Sequence, residues 1–192
     1  LNETSSPILL ISLNFNSSTT TLPKPLFELW PSLTKPLLKP EIKQERENAR
    51  RAFVLGVNTA IPYGIVRVDE GYGTLTELLN ATSVSKLIIN NPDDLTQAAK
   101  YYIDMLKSIH SIDVEDNEVP DMKEIALSWA DFVAEHIPSE QADKLRKLIE
   151  AVPKVNTLMH GDYHTNNIMI QNGEPLLIDM DTLCMGHPVF EF

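Results

Sequence analysis

Apolar positions along this chain alternate between two periods, and the changes of period outline its elements. Residues 8–15 form a short apolar run, Ile8 to Ile11 with Leu13 and Phe15, that predicts a buried strand closed by the Ser/Thr-rich stretch 17–21. Pro23, Pro25, Pro31, Pro36 and Pro40 follow, and because proline fixes φ and restricts its predecessor, residues 22–41 are expected to be loop and short extended pieces. In residues 41–55, Ile42, Ala49, Ala52, Phe53 and Leu55 sit among dense charges, the pattern of an amphipathic helix, with Gly56 as its stop. Ile65, Val66 and Val68 mark a strand over 63–69. Gly71-Tyr72-Gly73 should break it, and a second strand over 74–79 would complete a hairpin.

The middle of the chain reads as helix. Residues 95–109 place Ala98, Tyr102, Ile103, Leu106 and Ile109 on one stripe, and residues 122–137 space Ile125, Ala126, Trp129, Phe132, Val133 and Ile137 helically. Trp129 and Phe132 are expected in the core. Ala142, Leu145, Leu148 and Ile149 define a third helix before Pro153. The period then shortens into apolar runs at 157–159, 168–170 and 176–178, the last two joined by Gln171-Asn172-Gly173, a strong hairpin turn. Strands, then helices, then a small hairpin predict an α+β fold and not a wound parallel sheet. No internal repeat is present.

Composition narrows the functions. A length of 192 residues admits one large domain or two small lobes. With 16 Lys and Arg against 27 Asp and Glu, the net charge of −11 argues against a broad grip on nucleic acid or anionic membrane, which needs clustered cations. It leaves room for a cationic substrate or a Mg²⁺ site. One cysteine, Cys184, flanked by Leu183 and Met185, excludes an internal disulfide and a Cys-rich zinc module, reads as a small buried hydrophobe, and suits a cytoplasmic setting. No apolar run approaches the roughly 20 residues that span a bilayer. Residues 5–13 have the character of a secretory apolar core, but no basic residue precedes them and no clean cleavage site follows, which argues against a leader.

Candidate chemistry concentrates around the last hairpin. His160-Gly161-Asp162-Tyr163-His164-Thr165-Asn166-Asn167 lies between two apolar runs, and Ile178-Asp179-Met180-Asp181 ends the returning strand. Carboxylates and an amide at the mouth of a buried hairpin are costly to desolvate without partners. Asp162 and Asn167 share one connection and the hairpin returns Asp179 to its open end; such oxygen ligands suit Mg²⁺ shared with the phosphates of a nucleotide. An Asp left free of the metal can take a proton from an attacking hydroxyl. The alternation His160-x-Asp162-x-His164 opens a second possibility, a Zn²⁺ or Mn²⁺ hydrolase site.

His160-Gly161-Asp162, then Asn167, then Asp179 resemble the motif set of the aminoglycoside phosphotransferase and choline kinase group, whose fold is protein-kinase-like. The resemblance implies a two-lobed chain, an N-lobe over residues 1–79 and a mostly helical C-lobe with its catalytic-loop hairpin over 80–192. It implies a small-molecule kinase that moves the γ-phosphate of ATP or GTP to a hydroxyl, on an aminoglycoside- or choline-like acceptor. By position, Asp162 would be the catalytic base, and Asn167 and Asp179 would hold Mg²⁺, with Asp181 as fallback ligand. His160 would brace the loop, and Asn166 would take a left-handed backbone where relatives often carry Gly. Glu45, with Glu47 second, resembles the N-lobe helix residue that pairs with a phosphate-contacting Lys. The segment 72–79 resembles the hinge, where the carbonyl of Glu77 and the amide of Leu79 would meet the nucleotide base.

Two departures qualify the resemblance. No glycine precedes Gly56, so a glycine-containing phosphate loop is absent or atypical, and the partner lysine, Lys35 or Lys39, lies among prolines. The N-lobe is therefore incomplete or atypical, and the acceptor-shaping helices of the C-lobe are expected beyond Phe192. A nucleotide-binding pseudokinase is the non-enzymatic alternative. Neither His136 nor His187 is assigned a function, and His110 is expected to be a packed histidine at a helix end.

Overall fold

The computed structural model describes residues 10–13, 40–68 and 71–191. In chain order the elements are β1 (Leu10–Leu13), α1 (Pro40–Val54), β2 (Pro62–Val68), β3 (Gly71–Thr76), β4 (Thr82–Ser83), α2 (Val84–Asn90), α3 (Leu95–His110), α4 (Met122–Ala134), α5 (Ser139–Glu150), β5 (Leu158–Met159), β6 (Ile168–Gln171), β7 (Glu174–Leu177) and β8 (Cys184–Met185), with short 3₁₀ turns at Pro92–Asp94 and Pro188–Glu191. They form two compact units, one of Leu1–Tyr101 with Thr165–Asp181 and one of Tyr102–His164 with Thr182–Phe192. Lys35 and Lys39 lie outside the described residues.

In unit one an antiparallel sheet has the order β1-β3-β2. Its central strand begins at Gly71, with Gly71 opposite Val68 and Gly73 opposite Val66 on one side and Leu13 on the other. The glycines expected to interrupt the chain are thus strand residues, because ladder bonding to β2, and for Gly73 to β1 as well, outweighs their weak local preference. Helix α1 packs on β2 and β3. It starts with Pro40 in the first turn, where a missing N–H costs nothing. Its end at Gly56 (φ 86°) is a Schellman closure, the Gly56 N–H donating to the Phe53 carbonyl and the Val57 N–H to the Ala52 carbonyl.

A second sheet of unit one has the order β4-β6-β7. The β6–β7 hairpin turns through Asn172 (φ 54°) and Gly173 (φ 83°), two successive left-handed residues that match the strand twist. The Leu177 N–H donates to the Asn58 carbonyl, tying the hairpin to the chain just after α1. Strand β4 and the seven-residue α2, capped by Ser83 Oγ on the Lys86 N–H, are too short to leave a periodic trace in the sequence. Buried Ala52, Val57, Val66, Leu75, Val84, Ile168 and Leu177 make the core.

In unit two β5 pairs with β8 and α4 packs on α5. The core includes Met105, Ile109, Leu158, Met159, Leu183, Cys184 and Met185. Trp129 and Phe132 are not in it; they are 58% and 66% exposed. The buried face of α4 is carried by Ala126 and Ala130, one turn apart, and Trp129 lies about 100° around the helix from Ala130. Among the described residues no helix is long and apolar enough to cross a membrane.

Candidate active site

The open end of the β6–β7 hairpin gathers the first group of polar side chains. The last rung pairs Ile168 with Leu177, and beyond it the Ile178 N–H donates to the Asn167 carbonyl at 3.0 Å. Asn167 and Asp179 are thereby held at the same end, as the hairpin pattern predicted. Asn167 is buried and Asp179 exposed. Asp179 adopts φ 65°, a left-handed conformation that Asp tolerates better than most residues.

Helix α1 holds the segment that follows. The Asn48 side-chain amide, only 2% exposed, donates to the Asp181 carbonyl at 3.0 Å and accepts from the Gln44 amide at 2.8 Å. Sequence reasoning missed Asn48, although it sits three residues after Glu45 and four before buried Ala52, on one helical face. Asn48→Ala would strand the Asp181 carbonyl and empty a buried site. It is expected to destabilise the protein by about 1–3 kcal/mol, read as a lower urea midpoint with unchanged m; an unaltered midpoint would mean that the bond contributes nothing.

Glu45 places a third carboxyl group beside Asp179 and Asp181. Burial raises its pKa, the charge of Asp179 adds to this, and the Thr74 hydroxyl works in the opposite direction. Asp181 is pushed up to about 6 by burial first and then by Glu45 and Asp179. Carboxyl groups that raise one another's pKa are charges that a hard divalent cation relieves, and oxygen donors are the kind that Mg²⁺ takes. Among the described residues no three His, Cys, Asp or Glu side chains are grouped to hold a metal by themselves. Mg²⁺ tolerates this, since it takes one or two carboxylates and completes its shell with water and phosphate.

Asp162 belongs to unit two. Its side chain is exposed, with His164 Nε2 3.4 Å from its Oδ2, and its N–H donates to Nδ1 of His160 at 3.3 Å. His160 is fully buried, and its carbonyl accepts from the Thr182 hydroxyl at 2.9 Å. It braces the loop, as expected. Gly161 has φ 82°, and a Cβ there would lie 2.3 Å from the Thr182 carbonyl oxygen, so only glycine fits. The Tyr163 hydroxyl donates to the Tyr102 carbonyl at 2.6 Å, and the two rings meet edge to face at 4.8 Å. Burial and the neighbouring Tyr102 and Glu191 raise the Tyr163 phenol well above its ordinary value, keeping it a neutral donor. Asn166 is not left-handed; it lies in the turn at 165–167 that feeds β6. The hydrolase alternative loses its ligand set, because His160 is buried with Nδ1 engaged and no three-residue metal group forms among the described residues.

Glu77 and Leu79 follow β3. The Glu77 N–H donates to the Ile61 carbonyl at 2.9 Å, and its carboxylate accepts from the Ile61 N–H at 3.3 Å, fastening the segment to the start of β2. Leu79 is half-buried on the connection to β4.

A family model described as the phosphotransferase enzyme family, APH, matches residues 32–192. The chain belongs to this phosphotransferase family. Among curated proteins no match is found. Among solved structures, the gentamicin–APH(2″)-IIa complex aligns with a TM-score of 0.50 at 14% identity, over 90% of this chain and 74% of that one. The streptomycin–ATP–APH(2″)-IIa ternary complex aligns with a TM-score of 0.48 at 18% identity, over 79% of this chain and 58% of that one. The phosphotransferase chain thus spans less than two thirds of the length of one of these aminoglycoside phosphotransferases. Its fold is the α+β, kinase-like one expected from the motif set.

Proposed function

We propose that the protein is a Mg²⁺-dependent small-molecule kinase that moves the γ-phosphate of ATP or GTP to a hydroxyl of an aminoglycoside- or choline-like acceptor. The observation that carries this reading is the return of Asp179 to Asn167 at the open end of the hairpin, in a chain of the phosphotransferase family. In this reading residues 1–79 act as the nucleotide-side lobe and 80–192 as the acceptor-side lobe.

Each residue has one task. Asn167 and Asp179 hold Mg²⁺, with Asp181 next to them. When bound, Mg²⁺ neutralises charge on the nucleotide phosphates. Asp162 orients the acceptor hydroxyl and takes its proton, for which an exposed carboxylate is suited. The Glu77 carbonyl and the Leu79 amide meet the edge of the nucleotide base, a main-chain role that leaves the Glu77 side chain free to fasten Ile61. Glu45 pairs with the lysine that contacts the phosphates. The acidic composition favours an acceptor bearing amines.

The test is a screen of aminoglycosides and amino alcohols for Mg²⁺-dependent release of nucleoside diphosphate by the whole protein. Phosphorylated acceptor, found by mass spectrometry and lost with EDTA, is the expected result. Nucleotide-induced thermal stabilisation without any product would favour the pseudokinase.

A further inference from the structure

The ladder between β2 and β3 closes in an irregular way at Ile61 and Glu77. Pro62 stands opposite Thr76, so the next pair outward is Ile61 with Glu77. Opposed residues of an antiparallel ladder alternate between pairs that exchange two main-chain hydrogen bonds and pairs that exchange none. Pro62 has no N–H to exchange, and Ile61 with Glu77 is the bonding pair: the Glu77 N–H donates to the Ile61 carbonyl at 2.9 Å. A regular ladder would return the Ile61 N–H to the Glu77 carbonyl. Here that N–H donates instead to Oε2 of the Glu77 side chain, at 3.3 Å.

The carboxylate thus stands in for the main-chain carbonyl of its own residue. It satisfies the Ile61 N–H and releases the carbonyl from the ladder. Among the described residues nothing else bonds the Glu77 carbonyl, nor the Leu79 N–H two residues on. Main-chain groups in folded proteins are nearly always paired, with protein, water or ligand. An acceptor and a donor left open two residues apart suit a planar ligand edge that offers one donor beside one acceptor. Adenine has such an edge, with its 6-amino group as donor and N1 as acceptor.

We propose that Glu77 is a positioning residue for the nucleotide base, whose side chain takes the Ile61 N–H so that its own carbonyl is open to the 6-amino group of adenine. That role rests on the reading in which the Glu77 carbonyl and the Leu79 amide meet the base, and adds what keeps the carbonyl available. In Glu77→Ala the Ile61 N–H has no carboxylate to bind, and the ordinary return bond of the ladder captures the carbonyl of residue 77. In Glu77→Gln the side-chain oxygen still accepts from Ile61, so the carbonyl stays open.

The test is calorimetric titration of the whole protein with ATP and with purine riboside triphosphate, which is ATP without its 6-amino group, both with Mg²⁺. Wild type is expected to bind ATP about 3- to 10-fold more tightly than the analogue, the worth of one hydrogen bond. In Glu77→Ala the ATP affinity should fall to that of the analogue, bringing the ratio to about one, while Glu77→Gln keeps the wild-type ratio. A side chain that merely stabilised the fold would weaken both nucleotides alike and leave the ratio unchanged. Should Glu77→Ala not fold, Glu77→Asp, whose arm is one methylene shorter, makes the same comparison. A wild-type ratio in the folded Ala or Asp variant overturns the proposal and leaves the kinase reading standing, and equal binding of the two nucleotides by wild type overturns it as well. The expected ratios without any phosphorylated acceptor in the screen overturn the kinase reading and support the role of Glu77. Absence of binding by either nucleotide overturns both.

Discussion

Asp162→Asn is expected to lower kcat for phosphoryl transfer by about 10²–10⁴-fold, the usual contribution of a positioned base, while nucleotide affinity stays within about twofold. The amide has the size and shape of the carboxylate but cannot take the proton of an acceptor hydroxyl. The loop is held in part through the Asp162 N–H, His160, Gly161 and Thr182, and the substitution alters none of these groups. Steady-state kinetics beside calorimetric nucleotide titration would read both quantities. An unchanged kcat would remove Asp162 from the mechanism.

Asp179→Asn is expected to weaken Mg²⁺-dependent nucleotide binding by at least roughly 100-fold, beyond the 10–100-fold typical of losing a residue that only supports a ligand. The choice of Asn over Ala matters. Asp179 has φ 65°, a conformation that Asn tolerates and Ala does not, so Asn removes the charge while keeping the backbone. Loss of binding in Asp179→Asn is therefore a charge effect, whereas loss confined to Asp179→Ala would be backbone strain. Titration of nucleotide with and without Mg²⁺ distinguishes these. Retained Mg²⁺ dependence in Asp179→Asn would overturn the metal assignment and turn attention to Asp181.

The two variants probe separate parts of the chain. The carboxyl groups of Glu45, Asp179 and Asp181 share unit one, where burial and mutual repulsion raise two of their pKa values. Asp162 belongs to unit two, where an orienting network of backbone donors, His160, Thr182 and Glu191 holds its neighbours.

Helix α1, the β2–β3 pairing, the three helices after it and the Asn-Gly hairpin were all legible along the chain, because each follows from local rules: an apolar period, a stop residue or a turn that needs positive φ. So was the phosphotransferase motif, since its residues lie on one connection and the strand that returns beside it. The strand role of Gly71 and Gly73 was not legible, because pairing with other strands and not the glycines decides it. Exposure of Trp129 and Phe132 was hidden for a related reason: periodicity says that a helix has an apolar face but not that the small Ala126 and Ala130 are the residues its unit buries.

Sequence alone thus determined the fold class, the family and which carboxylates are candidates for chemistry, all properties of near neighbours in the chain. Tertiary structure decided which of them are pressed together and which are held in place. Asn48 reaches the Asp181 carbonyl across 133 positions, and Glu191 reaches Gly161 across 30. Contacts over such separations depend on how folded elements pack, and no local pattern records them, because burial of a polar group is settled only when its distant partner arrives.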